Sequence, residues 1–500
     1  MKKILTMFLI LLLALPLCAC ELTDNLTESE LGGGSEEQER LTTLEELALV
    51  YFEKGEHPLL DTSVANQKIH TVVYEPAFTF DERLNIIYGC AMDVQMSGTR
   101  ITVSPDTGRH FSDGTRLSAE LMAKSFRFVL KNPSSPYYRR LSVVESVTTQ
   151  GGNLIINLKR EDKGALYCMD IPVVHEKDGK YYGCGNYMIG KYRDEPALLT
   201  SHYAKTTPVE APVVLLKPDS ESALAAMFNS GVLDALPEDL MVAGQLSLSR
   251  EYESVEYLTN TMLYVGINTR ESTLGNAMRR ALGALIPRED ILASVLMGKG
   301  VATARPFYPY WSELPEEKLE TADKNRIIEL FTAAGLHSEN GELFTASGER
   351  PDFEILVCES SKVQVATAEK IRSAATAVGM DITIEAVDEE TFLNRLKNGN
   401  FELYIARYAL SENIDPSPLY TDGSDYNYGG VSLPSLEKAH IQLSTGEITM
   451  SDFLTQFERE CPILPIAFIK NSVYYTQGVE PGGNVSASNP LGQLEAWSVK

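Results

Sequence analysis

The stretch Phe353–Ala406, FEILVCESSKVQVATAEKIRSAATAVGMDITIEAVDEETFLNRLKNGNFELYIA, switches twice between two hydrophobic periods. Phe353–Cys358 is a short apolar run, and the residues up to Gly379 then repeat at helical spacing. DITIEAV reads as a second strand, DEETFLNRLKNG as a second helix ending on Gly399, and FELYIA as a third strand. Strand, helix, strand, helix, strand with glycine at the helix ends is the pattern of a parallel sheet covered by helices. It predicts an α/β second half.

The first half has a different character. From about Leu47 to Lys191, short β-branched runs such as TRITVSPDTG and GGNLIINLK alternate with turns, which predicts a β-rich region. One helix interrupts it, LSAELMAKSFRFVLKNP, with Ser118 as N-cap, Leu121, Met122, Phe126, Val129 and Leu130 on one face, and Pro133 as its stop. Val213–Leu216, an apolar helix through Phe228, and VLDAL read as a β-α-β unit. Near the end, CPILPIAFIKNSVYYTQGV returns to strand.

The amino terminus explains two of the seven cysteines. Lys2 and Lys3 precede the apolar run ILTMFLILLLALPL, which is shorter than the ~20 apolar residues a membrane span needs and reads as an export signal. Behind it, Glu21 to about Glu45 is acidic and interrupted by Gly32–Gly34, a solvated tether. Of the five cysteines after Cys18 and Cys20, Cys168 and Cys184 could bridge a hairpin. The preferred reading leaves all five as free, buried small hydrophobes.

Across all 500 residues, 44% are hydrophobic and 23% charged, ordinary values for a globular chain with room for two or three domains. A net charge of −25 argues against nucleic acid, whose phosphates need clustered Lys and Arg. The seven histidines are isolated, and no metal-ligand spacing, nucleophile elbow or phosphate loop occurs. This predicts a protein that is not an enzyme and carries neither cofactor nor metal.

Several motifs in order resemble the extracellular solute-binding proteins of family 5, the oligopeptide- and dipeptide-binding lipoproteins of ABC importers. LCAC at 17–20 is similar to a lipobox, which implies a lipid on Cys20. HPLLDTSVANQKIHTVVYEPAFTFDE resembles the family's opening. RHFSDGTRLSAELMAKSFRFVL resembles its F-x-DG-x-x-L-T-A-x-D-V motif, and YYGCGNYMIGKY stands where it has a G-T-G-P-Y turn. DSESALAAMFNSGVLDAL, LYVGINTRES, MRRALGALIPREDILASVLMGKG and PILPIAFIKNSVYY match further landmarks, so the resemblance spans about residues 57 to 480. YGCAMDVQMSGTR is shorter than its counterpart and leaves room for one or two fewer strands.

The resemblance implies a two-lobed, type II periplasmic-binding-protein-like α/β fold with mixed sheets, lobe one being enlarged by an extra β-rich subdomain. The expected organisation is a signal peptide over 1–19, a tether over 20–45, lobe one over 46–264 plus 472–500, and lobe two over 265–471. The crossings near Thr261–Asn268 and Ile469–Tyr475 would form the hinge. The implied function is capture of a solute, most simply a peptide, by a monomer held at the extracytoplasmic membrane face, which delivers it to an ABC permease. Alternatives on the same scaffold are a permease-independent peptide sensor or chaperone, and a binder of a nickel complex, haem or sugar.

For the site, the family's D-x-x-D/E-P segment falls on FELYIARYALSENIDPSPLY, which puts Glu412 on the position that pairs with a peptide amine. Asp415 is the alternative, and both could instead cap a turn. Arg407, Tyr408, Tyr426, Asn427 and Tyr428 are expected around it. Tyr74 to Phe78 would offer backbone to an extended ligand. Trp311 reads equally as cleft-facing or as part of a packed surface loop.

Overall fold

The computed structural model describes residues 46–499 except 53–56, 207–208, 210, 241–247, 272, 320–322 and 484. The expected signal, Cys20 and the tether lie outside the described residues. Among the described residues no helix is long and apolar enough to cross a membrane.

The second half folds as its periodicity predicts. Asp352–Cys358 pairs in parallel with Asp381–Val387 and, through Ile355 and Leu356, with Leu403–Ala409. Helix Lys362–Thr376 starts where Ser361 accepts the Gln364 N–H, and helix Glu389–Asn398 starts on Asp388 and ends on Gly399 in the left-handed region. Because strand side chains alternate, Ile355, Val357, Leu403 and Ile405 fill one core layer, whereas Leu356, Cys358 and Tyr404 fill a second on the other face.

Beyond these three strands the sheet becomes antiparallel. Leu403–Ala409 pairs with the sixteen-residue strand Tyr252–Ile267, which pairs in turn with the fourteen-residue strand Ile463–Thr476. The result is a mixed seven-stranded sheet, with Ala235–Pro237 at its far edge and Gly300–Ala302 also on Ile463–Thr476.

Its two long strands tie the lobes together. Tyr257, Val473 and Tyr475 belong to the first lobe's core, whereas Leu258, Met262 and Phe468 belong to the second's. The register between the strands shifts between Leu258 and Met262 and again between Leu263 and Tyr264, overlapping the start of the expected 261–268 crossing. There Thr259 Oγ1 donates to the Ile469 carbonyl at 2.7 Å, replacing a ladder bond with a side chain.

The first lobe holds two four-stranded sheets. One places Leu47–Val50 beside Val213–Leu216, Glu195–Thr200 and Tyr187–Tyr192. The other is built from Ala91–Ser97, Arg100–Pro105, Asn153–Leu158 and Val144–Gln150, and forms the β-rich subdomain. Helix Ala119–Lys131 lies against it, burying Met122, Phe126 and Val129, with Ser118 as the expected N-cap. The short YGCAMDVQMSGTR segment still makes a hairpin strand.

One expectation is corrected. Val213–Leu216 and Ala235–Pro237 do not share a sheet, since the former joins Leu47–Val50 and the latter pairs with Val473–Tyr475. The intended β-α-β unit is split because the long strand Ile463–Thr476 supplies a partner that local sequence does not reveal.

Candidate functional site

A cavity of ≈ 330 Å³ lies between the lobes. Lobe one contributes Gln67, Lys68 and Thr71 from helix Val64–Val73, together with Phe80, Asp81, Tyr137, Arg140 and Asp170. Across from them stand Asn260, Tyr308, Ser411, Glu412 and Ile414.

Glu412 reaches the cavity because strand Leu403–Ala409 ends in a tight turn. The Leu410 N–H donates to the Asn260 carbonyl at 2.9 Å, and the Ile414 N–H returns to the Ser411 carbonyl at 2.8 Å. Ile414, a β-branched residue, sits at φ 59°, where its Cβ is crowded. Its side chain, 6% exposed, is locked in the second lobe's core, which offsets that strain. Lobe one's Gly164 packs on the same turn, where an added Cβ would lie 2.7 Å from the Asn413 carbonyl oxygen.

The cavity's charges are unevenly committed. Asp239 pairs with Lys68 at 2.6 Å, and Asp170 pairs with Arg140. Asp81 accepts the Arg83 and Asn85 N–H groups at 2.8 Å each and the Asn85 amide at 3.0 Å. Glu412, by contrast, makes no hydrogen bond or ion pair among the described residues.

Asp415 is placed differently. Its carboxylate takes the Ser417 N–H at 2.7 Å, the Ser417 hydroxyl at 2.8 Å, and His440 Nε2 at 3.0 Å. Burial pushes this carboxyl up, but the His440 and Ser417 bonds outweigh it and hold it below the usual range. It lines a second interlobe cavity of ≈ 730 Å³ rather than the first.

Of the other expected residues, only Trp311 faces either cavity. It lines the second, and its indole N–H donates to the Tyr167 hydroxyl of lobe one at 2.9 Å, beside a backbone bond of 3.1 Å from Ser312 to the Arg83 carbonyl. Tyr167 lines the first cavity and Ile414 lines both, so this contact forms part of the partition between them.

Arg407 and Tyr426 are exposed and outside both cavities. Tyr408 stacks edge-on against Tyr426 with centroids 5.2 Å apart, and burial, with Asp415 and Tyr426 nearby, pushes its hydroxyl up to about 12. Asn427 is buried and spends its amide on the Thr421 and Val431 backbone, organising its own loop. Tyr428 meets Tyr404 edge-on at 6.1 Å.

Tyr74 and Phe78 line neither cavity. They are 5% and 0% exposed in the first lobe's core. The carbonyls of Tyr74, Pro76 and Ala77 accept from the N–H groups of Val173, of Cys90, and of Gly89 and Ala91 respectively. The cavity-lining Lys68, Arg140, Asp170 and Tyr137 were not anticipated, because no local motif marks them.

Residues 93–430 match the model of the bacterial extracellular solute-binding proteins, family 5 middle region. No curated protein sequence matches the chain. Among solved structures, the fold is similar to the unliganded open form of MppA, a periplasmic murein tripeptide-binding protein, with 17% identity, 91% of this chain and 97% of that chain covered, and a TM-score of 0.73. It is also similar to a nickel ABC transporter protein from Bacillus halodurans (16% identity, 91% and 99% covered, TM-score 0.70). A third similar structure is the oligopeptide-binding protein AppA from Bacillus subtilis with a nonapeptide (17%, 91% and 99%, TM-score 0.55). At these identities the structures support the fold alone. The family match covers more than half of the chain, and with it the two lobes and the cleft between them find their place: this chain belongs to the bacterial extracellular solute-binding proteins of family 5.

Proposed function

We propose that the protein captures a short peptide, or a peptide-like solute with a free amine, between its lobes and hands it to an ABC importer permease. The observation that carries this reading is the uncommitted carboxylate of Glu412, facing a cavity whose other acids are paired or hydrogen-bonded. A cavity of ≈ 330 Å³ falls at the lower end of the range for small ligands, which favours a short one. Buried tyrosines such as Tyr137 and Tyr308 suit it, since their rings pack on a ligand while their hydroxyls orient it.

In this reading lobe one comprises residues 46–257 and 472–500 and lobe two 258–471; the first boundary lies before 264 because Leu258, Met262 and Tyr264 pack in lobe two's core. They close about the two long strands, and the monomer is held at the extracytoplasmic membrane face by a lipid on Cys20. Native mass spectrometry of the protein purified without denaturation, with identification of the released compounds, tests the ligand class. A ladder of short peptides is expected; a metal complex or a saccharide overturns the role of Glu412.

A further inference from the structure

Two buried cysteines that are distant in sequence meet at a single carbonyl. The sulfurs of Cys90 and Cys184 lie 3.5 and 3.7 Å from the Glu75 carbonyl oxygen. The residues are 0% and 1% exposed. Cys168, the neighbour in sequence, sits elsewhere, within the electrostatic reach of Arg140 and Glu412.

The backbone around both cysteines is clamped on the segment that ends helix Val64–Val73. Cys90 N–H donates to the Pro76 carbonyl at 3.0 Å, and Gly185 N–H to that of Val73 at 3.1 Å. The flanking residues must be glycine for this approach: an added Cβ would lie 2.3 Å from the Pro76 oxygen at Gly89, 1.8 Å from the Val73 oxygen at Gly183, and 2.2 Å from the Val72 oxygen at Gly185. Arg109 closes the arrangement, donating to the carbonyls of Cys184 at 2.9 Å and Gly89 at 3.2 Å while pairing with Glu75 at 2.7 Å. The Cys184 thiol is the largest influence raising the Cys90 thiol, ahead of burial.

A family of extracellular proteins works where disulfides persist. We infer that Cys90 and Cys184 form a disulfide in the exported protein, fastening to each other the two lobe-one turns that pack on the end of the helix walling the interlobe cavity. The oxidant is a disulfide of the envelope, protein-borne or low in molecular weight. One cysteine thiolate attacks it, making a mixed disulfide and releasing one thiol. The second cysteine attacks the mixed disulfide and releases the other thiol. One S–S bond forms in the chain, one breaks in the oxidant, and two electrons and two protons leave with its two thiols. Because the folded site is closed to solvent, the exchange belongs to folding. The link spans 94 positions, from 90 to 184, and leaves Cys168, Cys358 and Cys461 as thiols.

The test alkylates full-length exported protein in denaturant without reductant, followed by reduction, a second label and peptide mapping. The first label is expected on Cys168, Cys358 and Cys461, and the second on Cys90 and Cys184. Digestion without reduction yields a Cys90–Cys184 cross-linked peptide lighter than its two halves by two hydrogens. A Cys90→Ser variant moves Cys184 to the first label; if that variant folds too poorly to export, the wild-type map decides alone. First-label modification of all five cysteines, or a Cys168–Cys184 peptide, overturns the inference.

Discussion

Replacing Glu412 by glutamine keeps its size and removes its charge, so it isolates the electrostatic contact to a ligand amine. Two unit charges about 4 Å apart attract by about 1 kcal/mol in water and about 4 kcal/mol at an effective dielectric of 20. Glu412 is exposed at the cavity, and closure on a ligand moves it toward the second regime. The neighbouring acids cannot take over, since Asp170 and Asp239 are neutralised by Arg140 and Lys68. A loss of about 2 to 4 kcal/mol follows, or roughly 30- to 700-fold in Kd. Titration calorimetry with a peptide identified on the purified protein measures it, alongside the same peptide acetylated at its amine. Wild type is expected to discriminate strongly against the acetylated form, and Glu412→Gln to bind the two alike. Asp415→Asn is expected to preserve discrimination, because that carboxylate is held by His440 and Ser417. Should Glu412→Gln still favour the free amine by the wild-type factor, Glu412 is not its partner.

Two other predictions follow from contacts away from the amine. Tyr167→Phe deletes the hydrogen bond from Trp311, worth about 1 kcal/mol, and should shift the lobe equilibrium toward open by roughly fivefold, seen as a larger radius of gyration by X-ray scattering in the liganded protein; an unchanged radius and affinity would show that the contact does not bias closure. His70 is 2% exposed, and burial, partly countered by Asp61 and the Pro58 carbonyl, lowers its pKa from 6.5 to about 4. As pH falls below 6.5 the unfolded chain binds a proton that the folded chain refuses, so stability drops across the window down to about 4, by about 2 kcal/mol at pH 5. Urea denaturation at pH 7 and pH 5 should show this loss in wild type and a smaller one in His70→Gln, and equal losses would assign it to other groups.

The sequence by itself determined the features that depend on neighbours a few residues away. The strands Asp352–Cys358 and Asp381–Val387, the helix between them, and the Ser118-capped helix follow from periodicity and capping, which act within one or two turns. Ordered motifs also led to the family, and counting back from Pro416 led to Glu412. What tertiary structure decided depends on contacts between distant segments. Asp415 and Glu412 are equivalent as letters, and only the presence of His440 and Ser417 commits one of them while the Ser411–Ile414 turn presents the other. That the Tyr74 and Phe78 side chains turn into the first lobe's core is likewise decided by packing. Trp311 finds Tyr167 across 144 residues of chain, and Cys184 lies beside Cys90 rather than Cys168. Such pairings are set by how the sheets and lobes pack, since burial and hydrogen-bond satisfaction are properties of the whole assembled core and have no period along the chain.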